Sequence, residues 1–214
     1  MDLRTSVLLA GMMTKSEIIP PEPYEKVDYI ESFGQQYIDT GVQVNSQNRI
    51  FRAKYRIYDS NLGYCLFGTS ANSEYGIHTR YSRLPAIFEW DCYRGNGYGR
   101  ITYSRQYSFG TLEEIELGNN YIKDLFSGNI LQTGDIQNLS SQVNIWLFGA
   151  NSSGRLSPTC VTKLYYFQII VNGVIVRDFI PVRNTQTNEY GLYDKVSKQF
   201  FGNLGTGAFS GGND

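Results

Sequence analysis

His78 is the single histidine of this 214-residue chain, and Cys65, Cys92 and Cys160 are its three cysteines. A nucleophilic triad would need His78 beside one of those cysteines or a serine, and no motif places it there. His78 stands among tyrosines and reads as a surface histidine. Zinc needs closely spaced ligand pairs, which the sequence lacks. The cysteines are widely spaced and odd in number, so they read as small buried apolar residues rather than a disulfide framework. Glu114 and Glu116 alternate on one strand face and could pair as two carboxylates for acid–base work, although a solvated face is the simpler reading. Gly95-Asn96-Gly97-Tyr98-Gly99 has the glycine content of a phosphate loop. It lacks the strand-to-helix setting and the following Lys-Ser/Thr, and reads as a hairpin tip.

Such chemistry as there is must be positioned by strands. Charged residues make up 18% of the chain and aromatics 14%, with 22 glycines, 17 tyrosines and 12 phenylalanines. That is too aromatic for a disordered chain and long enough for one domain with a real core. Nineteen bases against twenty acids give a net charge of −1. A general nucleic-acid binder needs a basic excess to displace counterions, so nucleic acid is not an expected partner. Neither is a membrane, because no apolar run reaches spanning length.

The leading segment differs from the rest. Residues 1–31 hold six acids and three bases, net −3; the remaining sixteen bases and fourteen acids give +2. Val7, Leu8, Leu9, Met12, Met13, Ile18 and Ile19 are apolar, and Pro20, Pro21 and Pro23 favour a stiff, extended connection. Residues 1–23 read as an arm. With its proline linker the arm spans 1–26, and the folded domain spans 27–214. The apolar stretch is short, lacks a basic lead and a small-x-small cleavage site, and has no following cysteine, so neither a signal peptide nor a lipoprotein anchor is expected. An apolar arm must be covered by its own domain or by another subunit, and docking is the sharper expectation.

From Val27 onward short strands alternate with glycine and asparagine punctuation. Over Arg49–Tyr58, Phe51, Ala53, Tyr55 and Ile57 share one face while Arg52, Lys54 and Arg56 share the other. Period two with one apolar face marks a strand over a core, and its basic stripe reads as solvated. Asn172-Gly173 predicts a hairpin between Leu164–Val171 and Val174–Ile180. Asn96-Gly97 predicts another between Ala86–Tyr93 and Arg100–Tyr103. A last hairpin should join Gly191–Asp194 to Gln199–Phe201. No long helical stripe appears, so the fold class is all-β, an antiparallel two-sheet sandwich.

At the C-terminal third, Val171-Asn172-Gly173-Val174-Ile175-Val176-Arg177-Asp178-Phe179-Ile180-Pro181-Val182-Arg183 precedes Gly191-Leu192-Tyr193-Asp194, then Phe200-Phe201-Gly202-Asn203 and Gly205-Thr206-Gly207. Near the start stand Tyr29-Ile30-Glu31-Ser32 and Gln36-Tyr37-Ile38-Asp39-Thr40-Gly41. Over roughly residues 27–210 these resemble the concanavalin A-like lectin/glucanase jelly roll, in the laminin-G-like branch found in bacteriophage virion proteins and bacterial surface proteins. The resemblance implies a jelly-roll sandwich that binds glycans or decorates a larger particle. The motif residues themselves read as structural: Pro181 at a strand end or edge, Asp178 ion-paired to its neighbouring arginines, Tyr193 and Asp194 fastening a turn. Glycosidases of this fold carry Glu-x-Asp-x-x-Glu or Glu-x-Asp-x-Glu. Here Glu89-Trp90-Asp91 matches the first half, but Tyr93 and Arg94 stand where the acid/base carboxyl belongs. No catalytic residue is assigned, and the chain is read as no enzyme. Some laminin-G-like relatives hold calcium; Asp59, Asn61 or Asp135 could contribute, but their spacing gives no support. No cofactor or metal is assigned.

Sugars bind on aromatic platforms flanked by planar polar groups. Tyr75, Arg80, Tyr81, Trp90, Tyr93, Arg94, Asn96 and Tyr98 are the candidate glycan-binding residues. The same tyrosines would serve a protein interface, and Trp90 and Trp146 would equally suit a core. The expected function is a non-enzymatic virion component of a bacteriophage, a decoration, head-fibre or tail-associated protein. Its arm docks on other virion proteins or sister chains, and its sandwich meets host-surface glycans. Homo-oligomers would suit such a role. A secreted or surface carbohydrate-binding module of a bacterium is the alternative, and a glycoside hydrolase of the same fold is a third.

Overall fold

In a computed structural model, the described residues are 19–43, 48–58, 66–69, 75–82, 87–94, 100–106, 109–134, 143–156 and 161–214. All their regular structure is β, with no helix among the described residues. The strands are β1 (Tyr24–Lys26), β2 (Tyr29–Phe33), β3 (Ile38–Gln43), β4 (Arg49–Ile57), β5 (Phe67–Thr69), β6 (Tyr75–Ser82), β7 (Ile87–Arg94), β8 (Arg100–Gln106), β9 (Glu113–Leu117) and β10 (Tyr121–Asp124). They continue as β11 (Ile130–Thr133), β12 (Asn144–Leu147), β13 (Gly149–Ser152), β14 (Arg155–Leu156), β15 (Val161–Val171), β16 (Val174–Asn184), β17 (Tyr190–Asp194), β18 (Gln199–Phe201) and β19 (Ser210–Gly212).

One large sheet runs β11-β10-β9-β4-β15-β16-β17-β18, with β1 on β16 and β19 on β2, which joins β15. A second sheet runs β14-β13-β5-β12-β3. Pairing is antiparallel except between β13 and β5. The alternation read in β4 is observed: Phe51, Ala53, Tyr55 and Ile57 are buried, and Arg52, Lys54 and Arg56 lie on the opposite face. The buried face meets the second sheet directly. Phe67 of β5 packs against Phe51 at 5.5 Å and edge-on to Phe167 of β15 at 4.8 Å. The two sheets therefore share one apolar core, to which Ile38, Ile145, Leu147, Leu164 and Phe179 also belong. This is a sandwich-like arrangement.

Local chemistry fixes the joints. Asn172 and Gly173 both take positive φ, 51° and 78°, as the tight turn between β15 and β16 requires. Phe148, buried at φ 66°, reverses the chain so that β12 and β13 flank β5 on opposite sides. β7 and β8 pair as expected, with Tyr93 opposite Arg100, and β6 completes a three-stranded sheet; the Asn96-Gly97 tip between them lies outside the described residues. β17 and β18 form the last expected hairpin.

The motif residues are structural, with one change of partner. Asp194 is fully buried and accepts hydrogen bonds from the amides of Asp178, Val196 and Ser197 and from the Ser197 hydroxyl. Asp178 pairs with Lys195 at 2.6 Å rather than with an arginine, and Arg177 lies 3.7 Å from Asp194 instead. The tight turn after β17 brings Lys195 back over β16, whereas Arg177 reaches the next strand's carboxylate. Pro181 lies where β16 passes from β15 to β1. Its carbonyl accepts from Val27 on that side, so its missing donor faces the gap between the two partners. The sheet begins at Tyr24, three residues before residue 27: Tyr24 stacks on Phe200 at 5.2 Å, and Arg183 pairs with Glu25 across β1 and β16.

Candidate functional site

The outer face of the large sheet carries the site. On β4, Arg52, Lys54 and Arg56 point away from the core because Phe51, Ala53, Tyr55 and Ile57 point into it. On β15, strict alternation would let only one of Tyr165 and Tyr166 join them. The pairing slips between Leu164 and Tyr166: Leu164 faces Tyr55 while Tyr166 faces Lys54, leaving Tyr165 as the extra residue of a bulge. A bulge re-aims side chains, and here it puts two consecutive tyrosines on the outer face. Below it, Phe167 and Ile169 return to the core.

β1 closes one side. Lys26, Lys54, Arg56, Tyr165, Tyr166 and Asp214 line an open groove of about 390 Å³. Lys54 sits 5.9 Å from the centres of both the Tyr165 and Phe126 rings, and Arg56 sits 5.9 Å from the Tyr165 ring. Lys163, next along the same face of β15, lies 3.6 Å over the Tyr29 ring. The basic stripe that the sequence suggested to be solvated is therefore half-buried: Lys54 and Arg56 pack on aromatic rings, and Arg52 pairs with Glu116.

A carboxylate sits in this cluster. Asp214 accepts from the Tyr165 hydroxyl at 2.5 Å and from Lys163 at 3.0 Å, with Arg56 at 3.7 Å. The Tyr165 hydrogen bond holds the Asp214 carboxyl below its ordinary range against the opposing effect of burial, and Lys163 adds to the effect. Burial, reinforced by the hydrogen bond to Asp214, raises Tyr165. Burial alone would lower Lys163, but its hydrogen bonds to Asp214 and Tyr29 outweigh it and raise the ammonium.

Glu114 and Glu116 do lie on one strand, β9, but each is engaged as a hydrogen-bond acceptor. The Tyr166 hydroxyl donates to Glu114 at 2.8 Å. Arg52 Nε and the Tyr121 hydroxyl each donate to Glu116 at 2.5 Å. Burial pushes the Glu116 carboxyl up, yet the Tyr121 and Arg52 hydrogen bonds prevail and hold it below its ordinary range. A general acid needs a shift in the other direction.

Of the glycan-binding candidates, Tyr75, Arg80 and Tyr81 lie on β6 and Trp90, Tyr93 and Arg94 on β7. Tyr75 is in register with Arg94, Trp90 with Thr79 and Tyr103, Arg80 with Glu89, and Tyr93 with Gly76 and Arg100. They thus fall into two alternating register sets rather than one row. Asn96 and Tyr98 lie outside the described residues, as do Cys65, Cys160, Asp59, Asn61 and Asp135. So do Val7, Leu8, Leu9, Met12, Met13 and Ile18 of the arm; Ile19 is 83% exposed. Trp146 is buried and stacks on Tyr37 at 4.0 Å, a core tryptophan. Lys54, Arg56, Lys163, Tyr165, Tyr166 and Asp214 escape a motif search because they come from three distant segments. One signal was present: Leu164 and Phe167, both core residues, are three apart, which breaks the period of two at Tyr165-Tyr166.

Fold and site together define an all-β sandwich with a tyrosine-lined, cation-rich groove on an exposed sheet face. No family model matches the chain, and no curated protein matches it either.

Proposed function

We propose that this chain is a non-catalytic recognition and assembly module, a concanavalin A-like, laminin-G-like jelly roll carried on a bacteriophage virion as a decoration, head-fibre or tail-associated protein. Residues 1–23 dock it on the particle or on sister chains, and its sheet faces meet glycans. The observation that carries the reading is the groove over β4 and β15. Two tyrosine rings, Tyr165 and Tyr166, offer platforms for sugar CH faces, and Lys54 and Arg56 offer donors beside them. The nearby carboxylates Glu114 and Glu116 already serve as acceptors for tyrosine and arginine donors, which suits a binding surface better than acid–base turnover.

The groove is lined by residues from Lys26 onward, which also fits a secreted or surface carbohydrate-binding module of a bacterium. Deletion of residues 1–23 separates the two. The virion reading expects the shortened chain, which gives up the Pro23 carbonyl that accepts from Thr185, to stay folded at some cost in stability and to lose incorporation into particles. Unchanged incorporation discards docking through the arm.

A further inference from the structure

We infer that the groove binds a carboxylated saccharide, whose acidic group takes the place on Lys163, Tyr165 and Arg56 that the Asp214 side chain holds in the free protein. The inference rests on the glycan-recognition reading and gives it a ligand class and a built-in competitor. Asp214 marks the position. Its two oxygens accept separately from Tyr165 and Lys163, at 2.5 and 3.0 Å, the arrangement a ligand carboxylate would adopt.

The fit is incomplete at Arg56. Its Nη1 donates to the Gly110 carbonyl, its Nη2 stands 3.7 Å from Asp214, and its buried Nε has no hydrogen-bond partner. A buried guanidinium donor left unpaired is costly, and a ligand oxyanion that displaced Asp214 and reached it would relieve that cost. Lys54, further along the groove, has no salt-bridge partner among the described residues and lies 5.9 Å from the centres of two aromatic rings. Glu114, Asp28 and Lys26 are the other charged groups around the groove; Glu114 accepts from Tyr166, and Asp28 accepts from the Asp214 amide.

The competitor is held by polar contacts at the surface. Beyond the three residues of β19, residues 213 and 214 are exposed and are tied through Asp28, which donates its amide to Asn213 and accepts from the Asp214 amide. Displacing Asp214 therefore disturbs no core contact. If the site is open for only a fraction of the time, apparent affinity falls by that fraction, and removing the Asp214 charge restores it. The Tyr165 and Tyr166 rings and a groove of about 390 Å³ provide for the sugar rings adjoining the carboxylate.

Titration calorimetry of the full chain with an oligogalacturonate, the matching neutral galactan oligosaccharide and a short polyglutamate peptide tests this. The acidic sugar should bind about tenfold more tightly than the neutral one, and less so at high salt. Asp214→Asn should tighten the acidic sugar about fivefold without moving the neutral one, and Lys54→Gln should weaken it about fivefold. Lys54→Gln should keep the wild-type melting temperature, and Asp214→Asn should lower it only by the share that the Tyr165–Asp214–Lys163 contacts contribute. Equal affinity for acidic and neutral sugars, no response to Asp214→Asn, or equally tight polyglutamate binding would overturn the inference. Neutral-glycan binding indifferent to both variants would keep glycan recognition and remove it from this groove. Binding to no glycan would remove the recognition reading itself.

Discussion

Tyr165 and Tyr166 stand side by side on one sheet face although they are neighbours in the chain. The slip in the β4–β15 register makes this possible, and the two hydroxyls then diverge, Tyr165 to Asp214 and Tyr166 to Glu114. Tyr165→Phe removes the main contribution that lowers Asp214. Its carboxyl titration, followed by carbon-detected NMR, should move up toward the ordinary 3.8. The folded carboxyl is depressed, so the latch it forms is present above that value and lost as pH falls through the lowered one. An unmoved titration would show that Lys163 and Arg56 set it without the hydroxyl.

The Glu116–Tyr121 pair gives a second pH-linked expectation. Burial and the hydrogen bond to Glu116 push the Tyr121 phenol up to about 12. Its stabilisation is therefore complete below the ordinary 10 and is lost as pH rises through about 12. Glu116 is depressed, so its share is present above 4.5 and lost in acid. Tyr121→Phe should cost about 1.5 kcal/mol at neutral pH, and the difference should close well below the ordinary Glu pKa, in urea denaturation at each pH. An equal loss at both pH values would mean that the hydroxyl acts only through packing.

Asp194 is the fastening of the β17–β18 turn. Three amides, a hydroxyl and Arg177 converge on a carboxylate with no exposure. Asp194→Ala leaves buried donors without an acceptor and should cost about 3 kcal/mol in chemical denaturation, with Asp194→Asn recovering part of it. A loss under about 1 kcal/mol would show that the strand ladder closes the turn unaided.

A methyl group at Gly205 would collide with the Gln35 carbonyl oxygen, a backbone atom that cannot swing aside. Gly205→Ala should therefore cost about 2 kcal/mol or more and disturb the Thr206–Gln35 bond. Gly173, at φ 78° with open space around it, should lose only the roughly 1 kcal/mol of left-handed strain on Gly173→Ala. Thermal melts of the two variants compare them directly.

What could be read from the sequence was local. Phe51 to Ile57 alternate cleanly because one face is buried along the whole strand, and Asn172-Gly173 names its own turn through positive φ. The partner of Asp178 was misjudged because the turn that returns Lys195 over β16 lies outside its sequence neighbourhood. The groove was missed for the same reason at larger scale. Lys54, Tyr165 and Asp214 are brought together by β4 pairing with β15 and by the C-terminal strand returning onto β2, which no spacing rule encodes. The basic stripe was visible; that β1 and β15 would wall it into a groove was not.

The central claim is that this sandwich holds sugars without cleaving them. Incubating the full chain with a panel of acidic and neutral polysaccharides, while following both retention and release of new reducing ends, tests it most directly. The account predicts saturable retention of at least one acidic polysaccharide and no release. Steady release that Glu89→Gln abolishes would contradict it.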